Sequence, residues 1–189
     1  MRIKNTDKKT LLIDTAYQLF EEHGFHATGV DTVVKHAGTT KRTLYRLFGS
    51  KENLALEVVR RHDENFRRDL HQKIELPNTD AKQRLLALFD YYGNWFASED
   101  FHGCLFIKTL VEFETSSPIL RNAARESKEL LRSFIEKLCN KAGAKDPSHL
   151  SEQIQILLEG SIITAQSKRN AKSAKIAREM AHLLIEQST

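Results

Sequence analysis

Cationic and hydroxyl side chains cluster between Asp31 and Glu52, and this is where residue types and spacing suggest a chemistry. No acidic residue lies among them. Lysine and arginine donate hydrogen bonds to phosphates and base edges, so such a cluster indicates a polyanion-binding surface. Charge alone favours a solvated helical face instead, and the local fold has to decide between the two. The cations are Lys35, Lys41, Arg42, Arg46 and Lys51, with His36 beside them.

Two short helices joined by a tight turn are predicted to carry this cluster. Gly38 ends a helix at about residues 30–37, and Thr40 caps another at about 41–48. This arrangement is the helix-turn-helix unit, whose second helix enters the major groove of DNA with its N-terminus first. The residues at that N-terminus carry donors long enough to reach base edges. They are Lys41, Arg42 and Thr43.

The segments on either side of this pair offer groups that could hold phosphates. Thr28 and Asp31 have capping-box spacing at the start of the second helix, with Asp in place of Glu. Ser50 is the expected cap of a further helix that begins at Lys51 and reaches about Gln72. Free backbone N–H groups at both helix starts, next to Thr28 and Lys51, are suited to phosphate binding.

The same residues resemble the tetracycline-repressor (TetR) family of bacterial regulators. The resemblance covers Leu11 to about Arg61 and is most specific where Thr-Leu-Tyr-Arg-Leu-Phe at 43–48 is followed by Ser50-Lys51-Glu52. It implies a homodimer that binds a palindromic operator in double-stranded DNA, with Lys51 as a phosphate contact. Together with the reasoning above, it gives the predicted DNA-binding residues Thr28, Thr39, Thr40, Lys41, Arg42, Thr43, Tyr45, Arg46 and Lys51.

Individual residues of the predicted recognition helix have alternative roles. Leu44 and Phe48 complete an apolar face and are predicted to be core. Tyr45 fits either the core or a phosphate contact, and its position beside two cations favours the phosphate. Arg46 either reaches the DNA backbone or stays solvated. Arg42 stands where the family often has a small residue, so it adds a possible reader of guanine.

The rest of the chain is also predicted to be helical. Only eight glycines and three prolines occur in 189 residues, and alternating apolar segments are almost lacking, which predicts an all-α fold of about nine helices. Residues 1–50 are assigned to the helix-turn-helix domain, 51–75 to a connecting helix and 76–189 to a ligand-binding and dimerisation domain. Predicted helices besides those above are Asp7–His23 with Thr6 as N-cap, an amphipathic helix over Leu85–Phe96, Gly103–Glu114, Pro118–Lys141, Leu150–Gln166 and Ser173–Gln187.

Aromatic residues of the second half are candidates for an effector pocket. An aromatic stripe at helical spacing is more often plain core, but here it also suits a small apolar or aromatic ligand. Cys104 could sense redox state or electrophiles, although a buried, inert thiol is the favoured interpretation because no basic cluster adjoins it. The candidate pocket residues are Phe89, Tyr92, Trp95, Phe96, Phe106 and Phe113.

Small residues on the last two predicted helices are candidates for a dimer interface. In the TetR family these helices form a four-helix bundle between two subunits, and small side chains permit close approach. Ordinary packing within one chain would give the same pattern. The candidates are Leu157, Gly160, Ser161, Ala165, Ala177, Ala181 and Leu184.

Composition and motifs exclude several classes of protein. The N-terminus has no apolar leader and the apolar runs are too short for a membrane span, so we expect a cytoplasmic protein. Two cysteines are too few for a disulfide framework. No catalytic motif or metal-ligand spacing is present, so neither an enzyme nor a cofactor is expected. A DNA-binding regulator released by an effector is the leading hypothesis, and an architectural DNA binder without an effector is the alternative.

Overall fold

The chain folds into α-helices, as the low glycine and proline content predicted. The computed structural model describes residues 5–75, 79–168 and 172–189, and within these it has nine helices and no strand. They are α1 (Asn5–His23), α2 (Val30–His36), α3 (Lys41–Phe48), α4 (Lys51–Ile74), α5 (Ala81–Phe96), α6 (Leu105–Glu112), α7 (Pro118–Lys141), α8 (Pro147–Lys168) and α9 (Lys172–Ser188). None of these helices is long and apolar enough to cross a bilayer.

Caps set the ends of several helices where local sequence predicted them. The Thr40 hydroxyl oxygen accepts the N–H of Thr43 at 3.3 Å, and the Ser50 hydroxyl accepts the N–H of Asn53 at 3.0 Å. Each bond satisfies one of the backbone donors that a helix start leaves without a partner. The predicted bounds of α3 and the predicted start of α4 are therefore confirmed.

Other ends differ from the prediction because the backbone leaves the helical region elsewhere. The sixth helix is shorter than Gly103–Glu114, since Gly103 has a φ of +89° and Phe113 already lies outside the helical region. The capping box predicted at Thr28 is wrong, because Gly29 is the N-cap of α2 and no side chain caps it. The side-chain cap predicted at Thr6 and the chain break predicted at 76–78 lie outside what the structure describes.

The chain divides into two compact units. Unit 1 comprises the residues up to Asn65 together with Cys104–Ser127, and unit 2 comprises Phe66–Gly103 together with Lys128–Thr189. Unit 1 therefore groups α1, α2 and α3 with α6. Unit 2 contains α5, α8 and α9, which contact one another.

Each unit has its own apolar core. In unit 1, Leu12, Phe20, Val33 and Leu44 are fully buried. In unit 2, Leu85, Leu88, Leu158, Ala181 and Ile185 are fully buried. Burying a leucine or phenylalanine side chain contributes about 1.5–3 kcal/mol, so these residues hold the short helices of unit 1 in place.

Candidate nucleic-acid interface

The connection between α2 and α3 is a tight turn held by its own backbone. Gly38 has a φ of +57°, a conformation that glycine adopts without strain. The N–H of Thr39 donates to the Val34 carbonyl at 2.9 Å, and Thr40 then caps α3. The Thr40 and Thr43 hydroxyls are also hydrogen-bonded, at 3.1 Å. The turn therefore fixes the direction in which α3 starts.

One side of α3 is buried and the other is exposed. Leu44 and Phe48 lie in the core, as predicted. The Tyr45 side chain is 48% exposed, so it is not a core residue. The remaining side is polar. It presents Lys41, Arg42 and Arg46, all exposed, with Thr43 half-buried.

Asp31 at the start of α2 forms an ion pair with Lys41 at the start of α3, at 2.7 Å. The hydrogen bond that Lys41 donates to the Asp31 carboxylate, together with the negative charge of Asp31, raises the pKa of Lys41 above its ordinary value. Both side chains are more than half exposed, so this pair contributes little to stability and can be exchanged for another anion.

The Thr28 hydroxyl points into the protein. Thr28 is buried, and its hydroxyl donates towards the carbonyls of Gly24 at 2.7 Å and Leu19 at 3.2 Å. This side chain connects the α1–α2 turn to α1. The geometry does not present the Thr28 hydroxyl at the surface where a phosphate contact was predicted.

Lys51 at the start of α4 is also engaged within the chain. Its ammonium group donates to the Phe25 carbonyl at 2.6 Å, and partial burial lowers the pKa of Lys51. The predicted phosphate lysine therefore supports the α1–α2 turn in this conformation. Its side chain is half-buried.

The α1–α2 turn has further partners on α6 that sequence reasoning missed. The Glu112 carboxylate accepts the N–H groups of Phe25 at 3.1 Å and His26 at 2.7 Å. Lys108, also on α6, donates to the Glu21 carbonyl in the last turn of α1. These partners are 86 or 87 residues apart along the chain, so no local pattern could have indicated them.

The six aromatic residues predicted to line an effector pocket are divided between the two units. In unit 2, the rings of Tyr92, Trp95 and Phe96 contact one another at centroid distances of 5.7–6.1 Å, and Phe89 is buried. The structure adds Phe101 to this group, 4.9 Å from Trp95. In unit 1, Phe106 lies 5.0 Å from the His62 ring and Phe113 lies 5.2 Å from the Phe25 ring.

An open cavity of about 540 Å³ lies elsewhere in unit 2. Residues from α5, the end of α7 and α9 line it, and none of the six predicted aromatic residues is among them. Its charged side chains include Lys82 and Glu186, which form an ion pair at 3.2 Å.

Cys104 and Cys139 are both buried and form no disulfide. Burial raises the pKa of Cys139 to about 12, which keeps that thiol protonated.

The small residues predicted to form a dimer interface are mostly used inside the chain. Ser161, Ala165, Ala177 and Ala181 are buried in unit 2, where α8 and α9 pack together. The Ser173 hydroxyl donates to the Ser161 carbonyl at 2.9 Å across this contact. Within one chain, these small side chains bring the two helices together. Leu157 and Leu184 are half-buried, and Gly160 is exposed.

The outer side of α8 and α9 carries large apolar side chains instead. Five of them are between 48% and 71% exposed. Their spacing of three, four or seven residues puts them on one side of each helix. We call this set the α8–α9 apolar face: Ile156 and Ile163 on α8, with Ile176, Met180 and Leu183 on α9.

No group of three or more metal-ligating side chains occurs in the described part of the chain.

Comparison with known proteins adds family matches over most of the chain. A model described as bacterial regulatory proteins, tetR family, matches residues 12–58. A second, described as tetracyclin repressor-like, C-terminal domain, matches residues 81–181. The first match contains the helix-turn-helix, and the second contains α5–α8 and part of α9.

Individual relatives are moderately similar. The HTH-type transcriptional regulator LmrA of Bacillus subtilis is 28% identical over 171 residues, covering 87% of this chain and 89% of LmrA. The HTH-type transcriptional activator FasR of Mycolicibacterium smegmatis is 33% identical over 91 residues, covering 48% and 41% of the two chains. The crystal structure of reduced Escherichia coli NemR shares the fold with a TM-score of 0.85 at 21% identity, covering 93% of this chain and 95% of NemR.

Proposed function

The chain belongs to the TetR family of bacterial regulatory proteins, and we propose that it is a cytoplasmic, homodimeric regulator that binds a palindromic DNA operator and leaves it when a small effector binds. Repression is the proposed mode, since it is the usual one in the family. Relatives include proteins named as repressors and one named as an activator, so the sign of regulation is an outcome to be measured. We expect no catalytic activity.

The observation that carries this proposal is the exposed polar side of α3. Lys41 and Arg42 lie in its first turn, and the capped turn before them fixes where that N-terminus points. Arginine can form two hydrogen bonds with a guanine edge, whereas lysine ammonium groups and tyrosine hydroxyls suit phosphate oxygens. A dimer would place two such helices in successive major grooves, about 34–36 Å apart.

The α8–α9 apolar face supports the homodimer. Large apolar side chains that are exposed on both helices of a pair lose contact with water when a second copy covers them. A two-fold axis would bring the same face of each subunit together in a four-helix arrangement. This is the interface that membership of the family implies.

The aromatic group of unit 2 supports an effector of apolar or aromatic character. Tyr92, Trp95, Phe96 and Phe101 offer ring faces and edges within one group. An effector releases DNA only if it binds the DNA-free conformation better. A hundredfold preference would shift the equilibrium by about 2.7 kcal/mol.

Selection of bound sequences from random duplex DNA tests the proposal. We expect enrichment of one palindrome with half-sites about one helical turn apart. Fluorescence anisotropy at two salt concentrations then gives the affinity for that palindrome and for scrambled DNA. The double variant Lys41→Ala, Arg42→Ala should lose the preference for the palindrome.

The other outcomes of this experiment are informative. Binding that depends steeply on salt but not on sequence would favour an architectural DNA binder. An unchanged operator affinity in the double variant would remove Lys41 and Arg42 from the recognition surface. Absence of DNA binding would contradict the proposed function.

A further inference from the structure

The peptide groups of the α1–α2 turn are held by side chains from distant helices. The N–H of Phe25 donates to Glu112 on α6, 87 residues away. The carbonyl of the same residue accepts from Lys51 on α4, 26 residues away. The next N–H, of His26, donates to the second Glu112 oxygen at 2.7 Å. The donor of the Gly24–Phe25 peptide and both polar groups of the Phe25–His26 peptide are therefore bonded to side chains outside the turn.

Contacts around Glu112 reinforce this attachment. The His26 ring donates from Nε2 to the Glu112 carbonyl at 2.6 Å. The Phe113 ring lies 5.2 Å from the Phe25 ring and 5.0 Å from the His26 ring. All of these residues belong to unit 1, so the contacts lie within one compact unit.

A glycine gives the carboxylate access to the turn. Gly24 has a φ of +86°, and a Cβ at this position would lie only 2.8 Å from Glu112 Oε1. A side chain here would therefore push the carboxylate away from the two N–H groups. The lack of a side chain at Gly24 therefore permits the close approach of α6 to the turn.

The helix that follows this turn is short and begins without a side-chain cap. α2 has seven residues, and its N-cap, Gly29, provides no side-chain hydrogen bond. The turn before it connects this start to the peptides that Glu112 and Lys51 hold. α2 in turn contacts α3, which carries the proposed reading residues.

We propose that Glu112 is a positioning residue for operator binding, so that the DNA-binding unit of this protein includes α6 and is not complete within the helix-turn-helix. The inference rests on the proposed function. Glu112 acts through the α1–α2 turn and does not contact DNA itself. Removing its carboxylate leaves every cation of the DNA-facing surface in place but loosens the start of α2.

The test compares Glu112→Gln with Glu114→Gln in the full chain. Both variants lose one negative charge near the same end of α6, and Glu114 is exposed. In Glu112→Gln, an amide can accept only one of the two N–H groups and presents a donor to the other. Loss of a charged hydrogen bond predicts an operator affinity about tenfold lower than in Glu114→Gln, which corresponds to about 1.4 kcal/mol.

Two further readouts separate positioning from a general loss of structure. Affinity for scrambled DNA should be the same in both variants, because it depends on the cations. The amide protons of Phe25 and His26 should exchange faster in Glu112→Gln, while that of Leu44 in α3 keeps its protection. If Glu112→Gln does not fold, Glu112→Asp keeps the charge, shortens the reach and should show the same changes.

Equal operator affinities in the two glutamine variants would overturn the inference. So would a parallel loss of affinity for operator and scrambled DNA in Glu112→Gln. The wild-type chain and Glu114→Gln must both bind the selected palindrome. If the wild type binds no palindrome, the proposed function fails, and that result is distinct from failure of the role of Glu112.

Discussion

The helix pairs α2–α3 and α8–α9 both present to solvent a side that the core does not use, and the chemistry of the two sides is opposite. On α3 the exposed side carries Lys41, Arg42 and Arg46. On α8 and α9 it carries isoleucine, methionine and leucine. Their inner sides are alike, since both are built from fully buried apolar residues such as Val33 and Leu44, or Leu158 and Ile185.

On the proposed function, the outer side of each helix pair determines which partner it binds. A cationic outer side gains from a polyanion, because phosphate binding releases counterions. An apolar outer side gains from another apolar surface, and a second copy of the chain supplies one. The apolar residues that face the core determine the fold, and the residues exposed on the outer side are the ones available to a partner. Four changes test this comparison.

A charge on the α8–α9 apolar face should have the largest effect. Leu183→Glu would place two unpaired carboxylates in a two-fold interface, so we expect dimer association to weaken at least about a thousandfold. Sedimentation equilibrium measures this directly. His182→Glu adds the same residue at the neighbouring exposed position and should leave the dimer intact. A dimeric Leu183→Glu variant would show that the two copies meet elsewhere.

The cationic side should respond to loss of a reading residue with a smaller change. In Arg42→Ala each half-site loses about 1–3 kcal/mol of discrimination between bases, so we expect roughly a hundredfold loss of operator affinity. The loss of base preference should be confined to one base pair per half-site. Competition binding against single-base operator variants reveals that position. Lys35→Ala removes an exposed cation of α2 and should lower affinity for all sequences alike. Uniform weakening in Arg42→Ala would make Arg42 a phosphate contact.

Local chemistry made the recognition helix predictable. The bounds of α3 follow from Thr40, whose hydroxyl accepts a backbone donor three residues later. Its core side follows from Leu44 and Phe48, which recur at helical spacing. Such signals involve residues within one turn of each other, so the sequence contains all of the information they need.

Long-range geometry was not predictable in the same way. Lys51 looked like a surface group, but its partner is a carbonyl 26 residues earlier in the chain. The Thr28 hydroxyl donates to carbonyls four and nine residues earlier, and its spacing to Asp31 gave no sign that it points inward. Glu112 gave no signal because its partners are 86 and 87 residues away. The alanines of α8 and α9 fit packing within a chain or between chains, and only the exposed isoleucines and leucine distinguish the two.

Acid should affect the region around α4 but not the α8–α9 apolar face, which has no ionisable group. His62 lies 5.2 Å from the Tyr17 ring and 5.0 Å from the Phe106 ring, and burial lowers its pKa to about 4. Below its ordinary pKa the unfolded chain binds a proton that the folded chain does not. The free energy of unfolding should therefore fall by about 2 kcal/mol between pH 7.5 and pH 5.

Urea unfolding at the two pH values measures this decrease. His62→Gln should lack most of it, whereas His36→Gln, which changes an exposed histidine of α2, should show the full decrease. A decrease of equal size in both variants would place the proton uptake at another group.

The smallest expected change decides the role of Thr28. Thr28→Val keeps the shape of the side chain but removes the hydroxyl that donates to the carbonyls of α1 and the turn. We expect the free energy of unfolding to fall by about 1 kcal/mol. The operator affinity of the folded protein should stay unchanged. Thr115→Val, at an exposed position of unit 1, should change neither. If Thr28→Val instead keeps its stability and loses operator affinity, the hydroxyl must turn outward to a phosphate in the complex. Thr28 would then belong to the outer, partner-binding side of the helix pair.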